Sequence, residues 1–258
     1  MTQTEISMKR PRHFINSIEK GLSILSTFSE NRPELTLTEL ARSNKMTMGT
    51  AHRYLLTLKE LGFVAQGEDN KRYHLTLKVL SLGFSVFHGL DLRKRVLSYM
   101  IQMTKEMGVT THCAIIDDTE ILYVEKVRSN DLVNLDLTIG SRLPAYCTAM
   151  GKTILAFMDE KESREIISRV NLILHTPFTI TSKKVLLKEL ETIRERGFGI
   201  SNQELMVGLR TLAAPIFMHG RVEAALGVSY PCHRVEGNNL EAKFIERLLE
   251  IAGKVSIG

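Results

Sequence analysis

The 258-residue chain predicts an α+β fold in two unequal domains: a small helical domain ending in a β-hairpin, then an antiparallel sheet flanked by helices. Three observations carry this. Over residues 14–75, three short helical patterns precede one pair of alternating runs. Beyond residue 91, strands and helices cluster instead of alternating one for one, which argues against a doubly wound sheet. Charge divides in the same way. Residues 1–85 hold 12 Lys and Arg against 8 Asp and Glu, a net of +4, while the remainder holds 22 against 21, a net of +1.

Residues 1–13 are polar and basic, contain Pro11 and show no period, as a flexible arm would. In "NSIEKGLSILSTFSE", Ile18, Leu22, Leu25 and Phe28 recur at helical spacing, with Asn16 or Ser17 available to cap. "LTLTELARSN" starts at Thr36 or Thr38 and turns Leu37, Leu40 and Ala41 inward. A break at Asn44-Lys45 leads into "MTMGTAHRYLLTLKELGF", which Gly62 stops. "FVAQGEDNKRYHLT" is a hairpin around Gly67-Glu68-Asp69-Asn70. Three helices and then a hairpin is the order of a winged helix-turn-helix, expected over 14–75. The apolar "LKVLSLGFSVFHGL", over 76–90, is a linker helix too isolated to form a core.

The second domain, 91–258, opens with a helix to Met107 whose stripe is Val96, Met100, Met103 and Met107. Strands follow at "THCAIID", "EILYVEKV" and "LVNLDLTIG". Helices follow at "AMGKTILAFM", "SREIISRV" and "KKVLLKELETIRERG". "FGISN", "RTLAAPIFM" and "EAALGVSY" are strands, the last two joined by a turn at His219-Gly220. "NNLEAKFIERLLEIAGKV" is a capped amphipathic terminal helix.

A hydrophobic content of 43% and a charged content of 24% suit a globular chain with a real core. No apolar run is long enough to span a bilayer and no leader pattern opens the chain, so no membrane association is expected and the cytoplasm is the expected location. Cys113, Cys147 and Cys232 are too few and scattered for a disulfide framework or a metal knuckle, and neither a metal nor a cofactor is expected. No catalytic residue is expected either. Cys147 has no His with an orienting acid at a telling spacing, and Asp117-Asp118 reads as a hairpin turn. His112 and Cys113 alternate across a strand and cannot share a metal.

The stretch from Thr47 changes character halfway. Leu55, Leu58 and Leu61 suit packing, whereas Thr47, Met48, Thr50, His52 and Arg53 leave almost nothing to bury. A recognition helix needs this division: one half packs, the other enters the major groove. Hydroxyls and helix-start amides hold phosphates, and Arg53 and His52 reach phosphate or base edges. Lys71 and Arg72, on the hairpin, are placed to meet the flanking backbone or minor groove.

"SIEKGLSILSTF", "LTLTELARSNKMTMGTAHRYLLTLKELGFV" and "RYHLTLKVLSLG" resemble the IclR family of bacterial transcriptional regulators in its winged helix-turn-helix. "GSRLPAYCTAMGKTILAF" and "RERGFGISNQELMVGLRTLAAPIF" resemble its effector-binding domain. The resemblance covers nearly the whole chain. It implies a GAF-like second domain, a double-stranded DNA operator, and dimers that pair into tetramers. Asn44-Lys45 departs from the family's usual glycine, although Asn tolerates a left-handed turn. His52 is also less usual there. "GSRLPAYCTAMGK" is similar to regulators of protocatechuate, 4-hydroxybenzoate and β-ketoadipate catabolism, which implies an aromatic or β-keto acid effector.

Pro144 fixes a turn before a helix that opens at Thr148, and a helix start with bare amides holds anions. Cys147, Thr148, Ala149 and Met150 are therefore the expected cradle for a small organic acid, with Arg142 a possible charged partner. The resemblance adds Ser201, Asn202, Thr211, Gly227 and Ser229 as pocket walls. Arg210 reads as structural. The expected function is a ligand-responsive DNA-binding regulator. The alternatives are an IclR-type regulator responding to another small organic acid, a small-molecule enzyme with an N-terminal assembly domain, and an architectural DNA-binding protein. A homodimer is expected through the linker, where Leu80, Phe84 and Phe87 otherwise face water.

Overall fold

The computed structural model describes residues 13–29, 31–89, 91–129, 137–235 and 239–257, with residues 84–89 and 91 described by backbone alone. The chain divides into two units, Met1–Gly89 and Leu90–Gly258. The flexible arm expected over 1–13 lies outside the described residues save His13.

The first unit contains α1 (Asn16–Ser26), β1 (Glu34–Leu35), α2 (Leu37–Ser43), α3 (Met48–Glu60), β2 (Val64–Gln66), β3 (Tyr73–Leu75) and α4 (Lys78–Gly89). Its core is small: Ile24, Leu35, Leu40, Leu55, Leu58, Val64 and Tyr73. Thr36 is the α2 cap and forms a full capping box with Glu39. The hairpin gains a third strand that the sequence did not announce, because β1 pairs antiparallel with β3 and two residues are too few to show a period.

Three expectations are corrected here. Ile18 and Leu22 are 57% and 55% exposed, while α1 turns Ile24 inward with Leu25 and Phe28 beside it. The helix carries apolar residues on two faces, and a core this small can bury only one. Leu61 is exposed because the chain leaves the helix there and reverses at Gly62, where φ is +75°. At the turn before α3, the left-handed residue is Lys45 and not Asn44. Asn44 works through its side chain, which donates to the Leu40 carbonyl and to Thr27 Oγ1 and accepts from Ser23 Oγ.

The second unit contains α5 (Asp91–Met107), β4 (Thr110–Asp117), β5 (Glu120–Val127), β6 (Arg142–Pro144), a 3₁₀ turn (Ala145–Cys147), α6 (Ala149–Phe157), α7 (Glu160–Arg169), α8 (Lys183–Arg196), β7 (Gly199–Asn202), β8 (Leu209–Met218), β9 (Arg221–Pro231), a second 3₁₀ turn (Cys232–Val235) and α9 (Leu240–Val255). Its sheet has the order β6-β5-β4-β9-β8-β7 with every pairing antiparallel, as the clustering of strands predicts.

Alternation along each strand gives the sheet two buried faces. Cys113, Leu212, Leu226 and Val228 pack with α5 and α9, and the methionine stripe at Met100 and Met103 is buried among them. Ala114, Ile121, Ala213 and Ala225 pack under α6, α7 and α8. The β8–β9 turn uses positive φ at both His219 and Gly220, the geometry favoured in two-residue hairpins. Of the strand expected at "LVNLDLTIG", residues 132–136 lie outside the described residues. Leu137–Gly140 form loop and turn, with Gly140 at φ +90°. The terminal helix starts at Asn239 without a side-chain cap bond, so the expected cap is not made. Among the described residues, no helix is long and apolar enough to cross a membrane.

Candidate functional site

Two places gather the residues singled out by the sequence. The first is the start of α3. Thr47 is its N-cap; its Oγ1 accepts from the Thr50 amide at 3.2 Å and lies 2.9 Å from Thr50 Oγ1. Ala51, Leu55 and Leu58 are buried, which anchors the helix along one face. Thr47, Met48, His52 and Arg53 are exposed, and the His52 and Arg53 side chains make no ion pair or hydrogen bond among the described residues. Lys71 is exposed in the hairpin loop at φ +54°. Arg72 is engaged within the fold: its Nη1 donates to the Glu34 carbonyl at 3.3 Å and lies 3.7 Å from Glu39. It braces the hairpin against β1 and α2.

The second place is a small cavity of about 30 Å³ between the sheet and the start of α6. Cys147, Thr148, Ala149 and Met150 line it from the helix side, and Ser201, Thr211 and Ser229 from the sheet. Thr148 caps α6. Its Oγ1 accepts from the Gly151 amide, and helical bonding begins where the Lys152 amide meets the Thr148 carbonyl. The amides of Ala149 and Met150 are thus the first-turn donors that an α-helix leaves without an intrahelical acceptor. Gly151 lets this turn close, because a Cβ there would lie 2.3 Å from the Ala145 carbonyl oxygen. Ser201 Oγ donates to the Cys147 carbonyl at 3.0 Å and ties β7 to the same junction.

Three expected residues are not brought to the cavity lining. Arg142 is ion-paired with Asp117 and lies 3.7 Å from Glu120, on the β6 edge of the sheet. Asn202 is exposed, its Oδ1 3.9 Å from Cys232 Sγ. Gly227 lies under Met150, where a Cβ would come within 3.1 Å of Met150 Cγ and Sδ, so its smallness seats Met150. Arg210 forms a two-bond clamp on Glu241 at 2.5 and 3.0 Å, and Tyr230 donates to the same carboxylate.

Sequence reasoning missed His112, Tyr123, Leu137, Leu143, Leu205, Met206 and Leu209, which complete the lining. They come from separate strands and loops that only the register unites; His112 of β4, for example, pairs with Gly227 of β9. The alternation in "THCAIID" did show that His112 and Cys113 face opposite ways.

Among the described residues, none that lines the cavity carries a formal charge. Burial holds His112 well below its ordinary value, at about 3, with Lys126 adding to the shift, so the ring is neutral. Burial pushes the Cys147 thiol up to about 12, which removes it as a nucleophile near neutral pH. Two buried charges act on the Cys147 thiol. Lys152, 1% exposed, pairs with Glu204 at 2.5 Å and lies 3.6 Å from Glu189. Burial raises the Glu204 carboxyl despite that partner. The Thr176 hydroxyl donates to the Gln203 carbonyl and the Thr179 hydroxyl to the Glu204 carbonyl, both at 2.6 Å, and these bonds hold the loop that carries Leu205 and Met206 at the cavity. Among the described residues, no group of three or more His, Cys, Asp or Glu could hold a metal.

Comparison with known proteins agrees with this architecture. Residues 17–68 match the IclR helix-turn-helix domain and residues 84–257 the C-terminal domain of the bacterial transcriptional regulator IclR. The chain is 35% identical to the HTH-type transcriptional regulator KdgR of Escherichia coli K12 over 94% of this chain and 92% of that protein. It is 32% identical to the Pca regulon regulatory protein of Pseudomonas putida, over 92% and 81% respectively. The crystal structure of the Thermotoga maritima IclR, 31% identical, superposes with a TM-score of 0.73 over 95% of this chain and 100% of that one. With a helix-turn-helix for DNA and a second domain for a small-molecule effector, the chain belongs to the IclR family of ligand-responsive transcriptional regulators.

Proposed function

We propose that this regulator controls genes for the breakdown of aromatic acids and that its effector is a small carboxylate held in the α6 cavity. The observation that carries the carboxylate is the α6 start itself. Ala149 and Met150, whose first-turn amides lack intrahelical acceptors, line a cavity with no formal charge among its described lining residues, and there a helix dipole and amide hydrogen bonds would favour an anion. Seven of the ten residues named from sequence, Cys147, Thr148, Ala149, Met150, Ser201, Thr211 and Ser229, are the binding set; Arg142 is not part of it. The aromatic-acid part rests on the likeness of "GSRLPAYCTAMGK" to regulators of such pathways and on the similarity to the Pca regulon protein. The protein carries out no chemistry on the effector and works in the cytoplasm.

On the DNA side, Thr47, Met48, Thr50, His52 and Arg53 form the contact surface, with Lys71 on the flanking backbone. Residues 14–75 serve as the DNA-binding domain, 76–90 as the linker and 91–258 as the effector domain. A homodimer, pairing further into a tetramer, presents two such surfaces to half-sites.

Calorimetric titration of the full chain with protocatechuate, 4-hydroxybenzoate, β-ketoadipate, glyoxylate and acetate tests the pocket. At least one aromatic or β-keto acid binds, and Ala149→Asp abolishes binding through like charge while leaving operator binding intact. Binding of none, or unchanged binding by the variant, removes this cavity from consideration. A gel shift on the gene's own upstream region, with and without the acid that binds, tests the coupling.

A further inference from the structure

We infer that His112 selects hydroxylated acids, so that the effector of this pocket carries a hydroxyl that meets the His112 ring on the sheet floor while its carboxylate meets the start of α6. This rests on the effector-pocket reading above. His112 is 3% exposed and lines the cavity, and its Nδ1 is buried with no hydrogen-bond partner among the described residues. Buried polar atoms are nearly always satisfied, and one left without a partner costs stability. A neutral imidazole on the cavity wall with an unpaired nitrogen has a hydrogen bond to offer a ligand that enters.

The chemistry of that partner follows from the ring. Its plane is held edge-on to Tyr123, with centroids 5.4 Å apart at 87°. Burial keeps it neutral, so it offers no counter-charge to a carboxylate, which finds its donors at α6 instead. A neutral imidazole has one N–H and one lone pair, and Nδ1 holds one or the other. A hydroxyl both donates and accepts and therefore fits either tautomer, whereas a keto oxygen only accepts.

A second feature of the same floor agrees. Thr211 and Ser229 are register partners whose hydroxyls lie 2.9 Å apart. One proton lies between them, so the accepting member keeps its own proton for a ligand oxygen. Ser229 stands two residues beyond Gly227, the partner of His112, which places Ser229 diagonal to His112 on one sheet face. The floor carries polar, uncharged groups at His112, Thr211 and Ser229, while Leu205 and Met206 in the loop over the cavity are apolar. A hydroxy acid matches this division better than the keto or unsubstituted acid of the same skeleton.

The test uses acids matched except at one position: benzoate, 4-hydroxybenzoate and protocatechuate, and pentanoate, 4-oxopentanoate and 4-hydroxypentanoate. Each is titrated calorimetrically into the full-length protein. In the skeleton that binds, the hydroxylated member binds about 10- to 100-fold more tightly than its parent, the range set by leaving a buried polar atom unpaired. His112→Phe brings the two together by weakening the hydroxy acid and leaving the parent unchanged. His112→Gln, which keeps a donor and an acceptor, restores part of the difference. A nitrogen-15 spectrum of the wild-type protein adds a readout that needs no substitution. The His112 Nδ1 resonance moves with the hydroxy acid and not with its parent. Equal affinity of hydroxylated and parent acids for the wild-type protein, or a His112 resonance indifferent to the hydroxyl, overturns the inference and leaves the pocket standing. Binding of no acid in either series removes the pocket, and the inference falls with it.

Discussion

A single side chain on an exposed helical turn has more freedom to contact a partner than one already paired, and this separates the arginines of the first unit. Arg53 is exposed and makes no ion pair among the described residues, whereas Arg72 is braced by Glu34 and Glu39. Arg53→Ala is expected to weaken operator binding by about 1–3 kcal/mol if the guanidinium reads a base. If it meets phosphate alone, the loss is the same on every DNA sequence and the salt slope becomes shallower by about one ion. Fluorescence anisotropy over a salt series on operator and scrambled DNA separates the two, and unchanged affinity removes Arg53 from the interface. His112 supplies a prediction of the other kind. Its folded-state value lies near 3 against an ordinary 6.5, so the unfolded chain binds its proton first as pH falls. The stability it contributes is complete above 6.5 and is lost as pH drops from there toward 3. Thermal midpoints should fall over that window, and His112→Gln should flatten part of the fall. Equal pH profiles for the two proteins contradict the assignment. Tyr123 and Cys147, also on the cavity wall, stay protonated throughout that range, because burial raises both.

At the scale of elements, the junction between the 3₁₀ turn at Ala145–Cys147 and α6 sets the position of the cavity's amides. Gly151 sits where any side chain would overlap the Ala145 backbone, and Gly199 sits where a Cβ would lie 2.2 Å from Thr153 Oγ1. Gly151→Ala should therefore push the turn and the helix apart, lowering stability by about 1–3 kcal/mol as overpacking does. It should also weaken the effector acid, because the Ala149 and Met150 amides move with the turn. Chemical denaturation and titration of the same variant check both, and a neutral effect on each would show that the junction is more pliable than its packing indicates. Helix α3 shows the same principle in a simpler form. Its packing half was legible because Leu55 and Leu58 recur on one face, whereas Ala51, which the sequence places with the duplex-facing residues, is buried beside them because the helix packs along its whole length. Helix α1 was misread for the complementary reason. Two apolar faces are equivalent in sequence, and only the size of the available core chooses between them.

The first unit leaves much apolar surface uncovered. Phe14, Ile15, Ile18 and Leu22 on and before α1, and Leu77, Leu80 and Leu82 at and in α4, are exposed. Phe84 and Phe87, expected to join them, have side chains outside the described residues. In a dimer these stripes are the surface we expect a second copy to cover. Leu22→Glu combined with Leu80→Glu should shift the protein toward monomer in multi-angle light scattering at micromolar concentration. It should also weaken operator binding more than single-half-site binding. A wild-type monomer under those conditions refutes the dimer outright, and an unaltered dimer in the double variant moves the interface elsewhere.

The sequence by itself determined the class of each domain, the order of nearly all its helices and strands, and the polar turn of α3. These depend on local periodicity, capping and turn residues, which neighbours along the chain specify. It also named the helix-side residues of the cavity, Cys147 to Met150, because a helix start is a local feature. The tertiary structure alone decided which face of α1 is buried, that Arg142 pairs with Asp117 on the β6 edge, and that His112 shares a cavity with Thr148 and Ser229. Those facts depend on strand register and on the volume of each core. Register joins residues more than a hundred positions apart, His112 to Gly227 among them, and no local pattern records which distant residue will arrive opposite.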